Sequence, residues 1–146
     1  MGKGNLLIVE DEEVLSSLLQ DLLEPHADKI GAAYNGLEGI EAVKNNTYHA
    51  IVCDINMPKM NGIEFIAKMR ELKYEHPIIF YTAHGNEQLM REALSYGAFD
   101  FLAKPHFDNL EETVIKALNH GLELFQGTGE VSEPSVDDEL AKMIKD

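Results

Sequence analysis

The chain has 146 residues, of which 45% are hydrophobic, and 26 acidic side chains against 12 lysines and arginines give it a net charge of −14. This length suits one domain with one core, and the acidity argues against direct binding of this chain to nucleic acid. No apolar run reaches the roughly 18 residues of a membrane span, and no signal peptide is recognisable. A single cysteine, Cys53, fits a reducing compartment, so a cytoplasmic protein is expected.

Five short apolar segments have the character of buried strands. They span residues 5–9, 30–34, 49–53, 77–81 and 98–102. Apolar residues at helical spacing predict five helices, at about 14–23, 37–45, 60–72, 89–96 and 110–126. Strands that alternate with helices predict an α/β fold, a doubly wound, flavodoxin-like three-layer sandwich whose parallel five-stranded sheet has the order 2-1-3-4-5.

The last part of the chain differs in composition from the rest. Residues 127–135 read GTGEVSEPS, which is typical of a linker, and apolar residues then recur at helical spacing up to Ile144. We therefore expect a domain at 1–126 and an acidic linker and tail at 127–146. Two interpretations of the tail stay open: a frayed end, or a short amphipathic helix that docks on this domain or on a partner.

Polar and charged side chains stand at the carboxyl ends of four predicted strands. These are Glu10 and Asp11 after the first strand, Asp54 after the third, Thr82 after the fourth and Lys104 after the fifth. In a doubly wound sheet these strand ends are neighbours, so the side chains are expected to converge. The carboxylates repel one another and a divalent cation relieves this repulsion, for which oxygen-only ligands favour Mg²⁺ over Zn²⁺.

This patch has the properties that phosphoryl transfer requires. Lys104 and a bound cation would offset the charge of a phosphoryl group, and the Thr82 hydroxyl would donate to one of its oxygens. An aspartate carboxylate can act as the nucleophile and form an aspartyl phosphate. The patch therefore offers an aspartate as a candidate acceptor of a phosphoryl group.

Four motifs carry a resemblance to a known family. They are LLIVEDEE at 6–13, IVCDINMPKMNG at 51–62, YTAHG at 81–85 and FLAKP at 101–105. With 28 residues from Asp54 to Thr82 and 22 from Thr82 to Lys104, the chain, over about residues 5–125, resembles a response-regulator receiver domain of two-component signalling, of the single-domain chemotaxis-regulator kind. One departure is Glu10, where aspartate is also frequent in the family. The longer side chain is expected to change metal affinity at most.

The resemblance implies roles for the residues at the matching positions. Asp54 is implied to be the phosphoacceptor. Mg²⁺ is implied to bind Asp11, Asp54 and the backbone carbonyl of Asn56, with Glu10 contributing mostly through water. Asn56 and His84 occupy two positions that tune the rate of dephosphorylation in the family.

A second group of residues is implied to respond to the phosphoryl group. Thr82 is the implied switch hydroxyl, which moves toward that group, and Lys104 pairs with it. Phe101 occupies the aromatic switch position, and Pro105 implies a cis Lys104–Pro105 peptide bond. The movement of Thr82 and Phe101 is expected to remodel the surface of the fourth helix, fifth strand and fifth helix.

The leading hypothesis is a signalling phosphoacceptor rather than an enzyme. Its phosphoryl donor would be a sensor histidine kinase or a phosphotransfer protein, and it would dephosphorylate itself slowly. Output would run through contact with an unidentified protein, through a relay step or through a further domain. A homodimer could form through the fourth helix, fifth strand and fifth helix. Neither nucleic acid nor a membrane is an expected partner of this chain.

Three alternatives belong to other functional classes. A Mg²⁺-dependent phosphatase with a nucleophilic aspartate, of the haloacid-dehalogenase type, would carry a second aspartate two residues later, where this chain has Asn56. A nucleotide-binding flavodoxin-like module would need a glycine-rich loop after the first strand, where Glu10, Asp11 and Glu12 stand. A receiver-like scaffold that is not phosphorylated is disfavoured by the intact acidic, threonine and lysine positions.

Overall fold

The computed structural model describes residues 2–83, 85–105 and 107–126, which form one parallel sheet flanked by helices. The strands are β1 (Asn5–Val9), β2 (Lys29–Ala33), β3 (Ala50–Cys53), β4 (Ile78–Thr82) and β5 (Asp100–Ala103). The helices are α1 (Glu13–Leu23), α2 (Gly36–Asn45), α3 (Gly62–Glu71), α4 (Glu87–Ser95) and α5 (Asp108–Gln126), with a short 3-10 turn at Glu24–His26. None of the helices in these ranges is long and apolar enough to cross a membrane.

The order of the strands confirms the predicted topology. The strands lie side by side as β2-β1-β3-β4-β5, and all four neighbouring pairs are parallel. The chain passes from β1 to β2 on one side and then crosses back past β1 to β3 on the other side. The gap between the carboxyl ends of β1 and β3 is therefore the switch point at which such folds place their site.

Each central strand buries both of its faces. Along β4, Ile78 and Phe80 belong to one core, and Ile79 and Tyr81 belong to the other. Residues of α2, α3 and α4 cover the first core, and residues of α1 and α5 cover the second. Because successive side chains point to opposite faces, a strand covered on both sides is apolar throughout, which explains the continuous apolar runs in the sequence.

Several element boundaries differ from the prediction by one or two residues. Thr82 is the last residue of β4 rather than the residue after it, because it still pairs in register with Ala103. The last strand begins at Asp100 rather than at Ala98, because the Ala98 N–H donates to the Ala93 carbonyl and so completes the end of α4. The 3-10 turn containing Pro25 was not predicted.

Asparagine side chains cap three of the helices. Asn35, Asn61 and Asn86 each accept the backbone N–H of the residue three positions later, at 2.9, 2.9 and 2.8 Å respectively. At Asn61 the Glu64 side chain also accepts the Asn61 N–H, which completes a capping box. This cap begins α3 directly after the loop that follows β3.

The amino edge of the sheet buries two histidines beside the end of α5. The ring centroids of His49 and His76 lie 5.9 and 5.1 Å from that of Phe125. His49 Nδ1 accepts the Asn5 N–H at 2.9 Å, whereas His76 Nδ1 has no hydrogen-bond partner among the described residues. Burial, assisted by the nearby charges of Arg70 and His49, lowers the pKa of His76 to about 4.

The lowered pKa of His76 predicts a loss of stability in mild acid. The unfolded chain protonates this side chain near its ordinary pKa of 6.5, whereas the folded chain does so only near pH 4. Because unfolding takes up a proton between these values, the free energy of unfolding falls as the pH drops, by about 2–3 kcal/mol between pH 7 and pH 4.5. Urea unfolding at both pH values should show this loss for the wild type and a loss smaller by that amount for His76→Phe. Equal losses in the two proteins would assign the acid sensitivity to other groups.

Candidate functional site

The carboxyl edge of the sheet brings the predicted polar residues together. Glu10 directly follows β1, Asp54 follows β3, Thr82 ends β4 and Lys104 follows β5. Backbone hydrogen bonds hold these ends in place, since the Asp54 N–H donates to the Val9 carbonyl and the Lys104 N–H donates to the Thr82 carbonyl, both at 3.0 Å. The sheet ladder thus extends up to the residues whose side chains form the site.

Three carboxylates form a cluster at the ends of β1 and β3. Glu10, Asp11 and Asp54 each place one carboxylate oxygen within 4.8 Å of the others. Glu10 is 2% and Asp54 5% exposed, so solvent screens their mutual repulsion poorly. An oxygen-only donor set at this spacing suits a hard divalent cation such as Mg²⁺.

Lys104 bridges two of the three carboxylates. Its Nζ donates to Glu10 Oε1 at 3.0 Å and to Asp54 Oδ2 at 3.1 Å, and only 14% of its side chain is exposed. The other Asp54 oxygen, Oδ1, accepts the Ile55 N–H at 2.7 Å. The Asp54 carboxylate is therefore held by the backbone at one oxygen and by the ammonium at the other.

Burial and pairing have opposite effects on the charged forms of Glu10 and Lys104. Burial raises the pKa of Glu10 to about 6, and the Asp54 charge adds to this against the opposing effects of the Glu12 N–H and of Lys104. For Lys104, burial lowers the pKa, but the hydrogen bond to Glu10 and the charge of Asp54 outweigh it, so that its pKa is raised. Lys104 therefore remains a cation at neutral pH, as pairing with an anion requires.

Thr82 and Phe101 lie on adjacent strands and share a neighbour. Thr82 is 1% exposed, and the half-buried Phe101 ring lies 6.0 Å from that of Phe80. A Cβ added at Gly85 would come within 2.6 Å of Phe101 Cε1 and 3.5 Å of Thr82 Cγ2. The loop after β4 therefore packs closely against both predicted switch residues.

The other predicted residues lie around this group or outside the described ranges. Asn56 is exposed in the loop between β3 and α3. The Lys104–Pro105 peptide bond is cis. His84 lies outside the described residues, as does the predicted linker and tail at 127–146.

Two residues beside the site were not singled out from the sequence. Gly62, the first residue of α3, packs so closely behind Asp54 that an added Cβ would overlap the Asp54 carbonyl oxygen. Tyr81 lies beneath Lys104, whose Nζ is 5.9 Å from the centroid of the Tyr81 ring. Gly62 follows a cap-forming asparagine and Tyr81 precedes Thr82, but neither position by itself indicates these contacts.

Comparison with known proteins identifies the family. A family model described as the response regulator receiver domain matches residues 6–117, a range that contains every described residue of the site. The chain belongs to this receiver domain family. Such domains are parts of two-component response regulators, and phosphorylation and magnesium are typical of the family.

The receiver domain is similar to parts of longer regulators. It is 35% identical over 120 residues to the transcriptional regulatory protein ZraR of Salmonella typhimurium, covering 82% of this chain and 27% of that protein. It is 37% identical over 135 residues to the transcriptional regulatory protein SrrA of Staphylococcus aureus, covering 92% of this chain and 55% of that protein. The chain thus spans about a quarter of the first relative and about half of the second.

A solved structure of a related protein has the same fold. The response regulator protein TrrA of Thermotoga maritima, in complex with Mg(2+)-BeF, matches with a TM-score of 0.69 and 29% identity. The match covers 77% of this chain and 97% of that chain. The matched part of this chain therefore corresponds to nearly all of the TrrA chain.

Proposed function

We propose that this receiver domain accepts a phosphoryl group on Asp54 and acts as a signalling phosphoacceptor rather than as an enzyme that turns over a substrate. The observation that carries the proposal is the position of Asp54 Oδ2, which lies 3.1 Å from the Lys104 ammonium and beside two further carboxylates. A buried carboxylate next to a cation and a cluster of metal-binding oxygens is suited to form an aspartyl phosphate.

Mg²⁺ is the proposed cofactor. The residues that would hold it are Asp11, Asp54 and the backbone carbonyl of Asn56, with Glu10 acting mostly through water. The proposal is supported by the oxygen-only donors within 4.8 Å of one another and by the Mg(2+)-BeF complex of the related TrrA. When bound, the ion would neutralise charge on the phosphoryl oxygens and reduce the repulsion from the carboxylates.

Transfer forms a bond between an Asp54 carboxylate oxygen and phosphorus. The proposed donor is a sensor histidine kinase or a phosphotransfer protein, whose P–N bond breaks with the electron pair left on the histidine nitrogen, which takes a proton from water. Lys104 moves its hydrogen bond from the Asp54 carboxylate to a phosphoryl oxygen, and Thr82 donates its hydroxyl to another. Slow attack of water on the phosphorus restores the carboxylate and releases inorganic phosphate. Asn56 and His84 are proposed to set the rate of this step.

Output is proposed to run through contact with another protein. The loop at Gly85 touches both Thr82 and Phe101, so movement of Thr82 toward the phosphoryl group reaches the start of α4. Within α4 only Ala93 is buried, so little packing opposes a shift of this helix. The changed surface of α4, β5 and α5 would then bind an output protein or a second copy of the chain.

The names of two relatives bear on the kind of output. ZraR and SrrA are transcriptional regulatory proteins, but the net charge of −14 argues against DNA contact by this chain itself. We assign the receiver domain to residues 1–126, with 127–146 as a linker and tail, and place the protein in the cytoplasm.

Intact-mass spectrometry after incubation with acetyl phosphate tests the proposed function. In the presence of Mg²⁺ the wild-type protein should gain the mass of one phosphoryl group, and EDTA should prevent the gain. Released inorganic phosphate is measured in parallel. Rapid release of phosphate without an adduct would indicate the phosphatase alternative. If neither an adduct nor released phosphate is found, the remaining alternative is a scaffold that is not phosphorylated.

A further inference from the structure

Tyr81 lies beneath the ammonium group of the site. It is the second-last residue of β4, its side chain is 1% exposed, and it belongs to the core between the sheet and helices α1 and α5. Lys104 Nζ lies over its ring, 5.9 Å from the centroid. An ammonium within about 6 Å of the face of an aromatic ring is attracted by the negative face of that ring.

The same ring supports the segment that follows Lys104. The Phe107 ring lies 6.0 Å from the Tyr81 ring at an interplanar angle of 38°. The Phe107 carbonyl accepts the Leu110 N–H at 3.0 Å, which ties this residue to the start of α5. Tyr81 therefore contacts both the side chain of Lys104 and the segment that joins Lys104 to α5.

The Tyr81 hydroxyl does not explain why a tyrosine stands at this position. Its oxygen is buried and has no hydrogen-bond partner among the described residues. A buried hydroxyl without a partner has lost its hydrogen bond to water and so opposes folding. Burial raises the pKa of Tyr81, so the hydroxyl stays protonated at neutral pH, and the interaction with the ammonium comes from the electron-rich face of the neutral ring.

We propose that Tyr81 is a positioning residue for Lys104, whose ammonium its ring holds at the phosphoryl-binding position. The proposal rests on the proposed function of Asp54 as phosphoacceptor. In the free state Lys104 is held by Glu10 and Asp54 together, but transfer of a phosphoryl group to Asp54 removes one of these two carboxylate partners. The aromatic face is present in both states, so it limits the freedom of a long, flexible side chain while the partner changes.

The test compares two variants of Tyr81 with a matched cavity variant. Tyr81→Phe keeps the ring and removes the hydroxyl, whereas Tyr81→Leu removes the ring. Phe65→Leu creates a similar cavity at a fully buried residue of α3 in the other core, away from Lys104. Circular dichroism establishes that each variant is folded.

Two readouts separate positioning from general destabilisation. The first is the NMR chemical shift of Lys104 Cε, which carries a ring-current contribution from an aromatic ring beneath it. The second is the initial rate of Asp54 phosphorylation by acetyl phosphate at saturating Mg²⁺, with Mg²⁺ affinity measured by calorimetry. Tyr81→Leu should lose the ring-current shift and slow phosphorylation about five- to tenfold with little change in Mg²⁺ affinity. Tyr81→Phe and Phe65→Leu should retain both the shift and the rate of the wild type.

The outcomes distinguish this proposal from the proposed function. If the wild type forms no adduct, the phosphoacceptor role fails, while the Lys104 shift still reports whether the ring positions the ammonium. If the wild type is phosphorylated but Tyr81→Leu keeps the wild-type rate, the positioning role is wrong. An equal slowing in Tyr81→Leu and Phe65→Leu would also overturn it, because loss of packing alone would then explain the effect.

Discussion

Replacing Asp54 by asparagine is expected to abolish the phosphoryl adduct completely. A neutral amide oxygen is a far weaker nucleophile than a carboxylate oxygen, and the substitution also removes one of the three carboxylates that would hold Mg²⁺. The change is nearly isosteric, so the core around the end of β3 should stay packed. Intact-mass spectrometry after incubation with acetyl phosphate and Mg²⁺ should therefore show one added phosphoryl group on the wild type and none on Asp54→Asn.

A matched substitution controls for the loss of one negative charge. Asp21 is exposed on α1, and Asp21→Asn should be phosphorylated at the wild-type rate. Peptide mapping then locates the modified residue in the wild type. An adduct on Asp54→Asn of the same size and rate as on the wild type would show that a different residue is the acceptor, and the proposed role of Asp54 would be wrong.

Replacing Gly62 by alanine is expected to be among the most destabilising small changes in the chain. The added Cβ would overlap the Asp54 carbonyl oxygen and lie 2.9 Å from both Ile55 Cα and Phe80 Cε1. Two of these three atoms belong to the backbone of the loop that carries the phosphoacceptor, so relief of the overlap requires that this loop moves. We expect the free energy of unfolding to fall by about 3 kcal/mol and phosphorylation of Asp54 to slow, because Asp54 would shift relative to Lys104.

Urea unfolding and phosphorylation by acetyl phosphate measure both effects, with Gly97→Ala as the control. Gly97 has φ +80°, and a Cβ there would approach nothing nearer than Arg70 Nε at 3.9 Å. Gly97→Ala should therefore cost only backbone strain, about 1–2 kcal/mol, and leave the phosphorylation rate unchanged. If Gly62→Ala were no more destabilising than Gly97→Ala and just as fast to phosphorylate, the close packing behind Asp54 would not constrain the site.

The topology could be predicted because the relevant signals are local. Each of the central strands is a short apolar run that ends at a polar residue, as at Val9 and Glu10 or at Cys53 and Asp54, and helical periodicity separates the runs. Right-handed crossovers leave few arrangements of such units, and the observed sheet order is the predicted one. Individual boundaries were less accurate, since the ends of β4 and β5 depend on the ladder between Thr82 and Ala103 rather than on hydrophobicity.

The composition of the candidate site could likewise be predicted, but its internal contacts could not. The strand order 2-1-3-4-5 places Glu10, Asp54 and Lys104 at the carboxyl edge of the sheet, regardless of the conformations of their side chains. That Lys104 bridges Glu10 and Asp54, which are 94 and 50 residues away in the chain, depends on side-chain conformations that no local pattern specifies.

By itself, therefore, the sequence determined the fold class, the strand order and the identity of the residues at the carboxyl edge, because periodicity and spacing along the chain encode them. Only the tertiary structure decided which of these side chains touch, that Gly62 must lack a side chain behind Asp54, and that the Tyr81 ring lies beneath Lys104. The physical reason is that close packing acts between residues adjacent in space, and its distances are set by the register of neighbouring strands and the volume of every side chain around them.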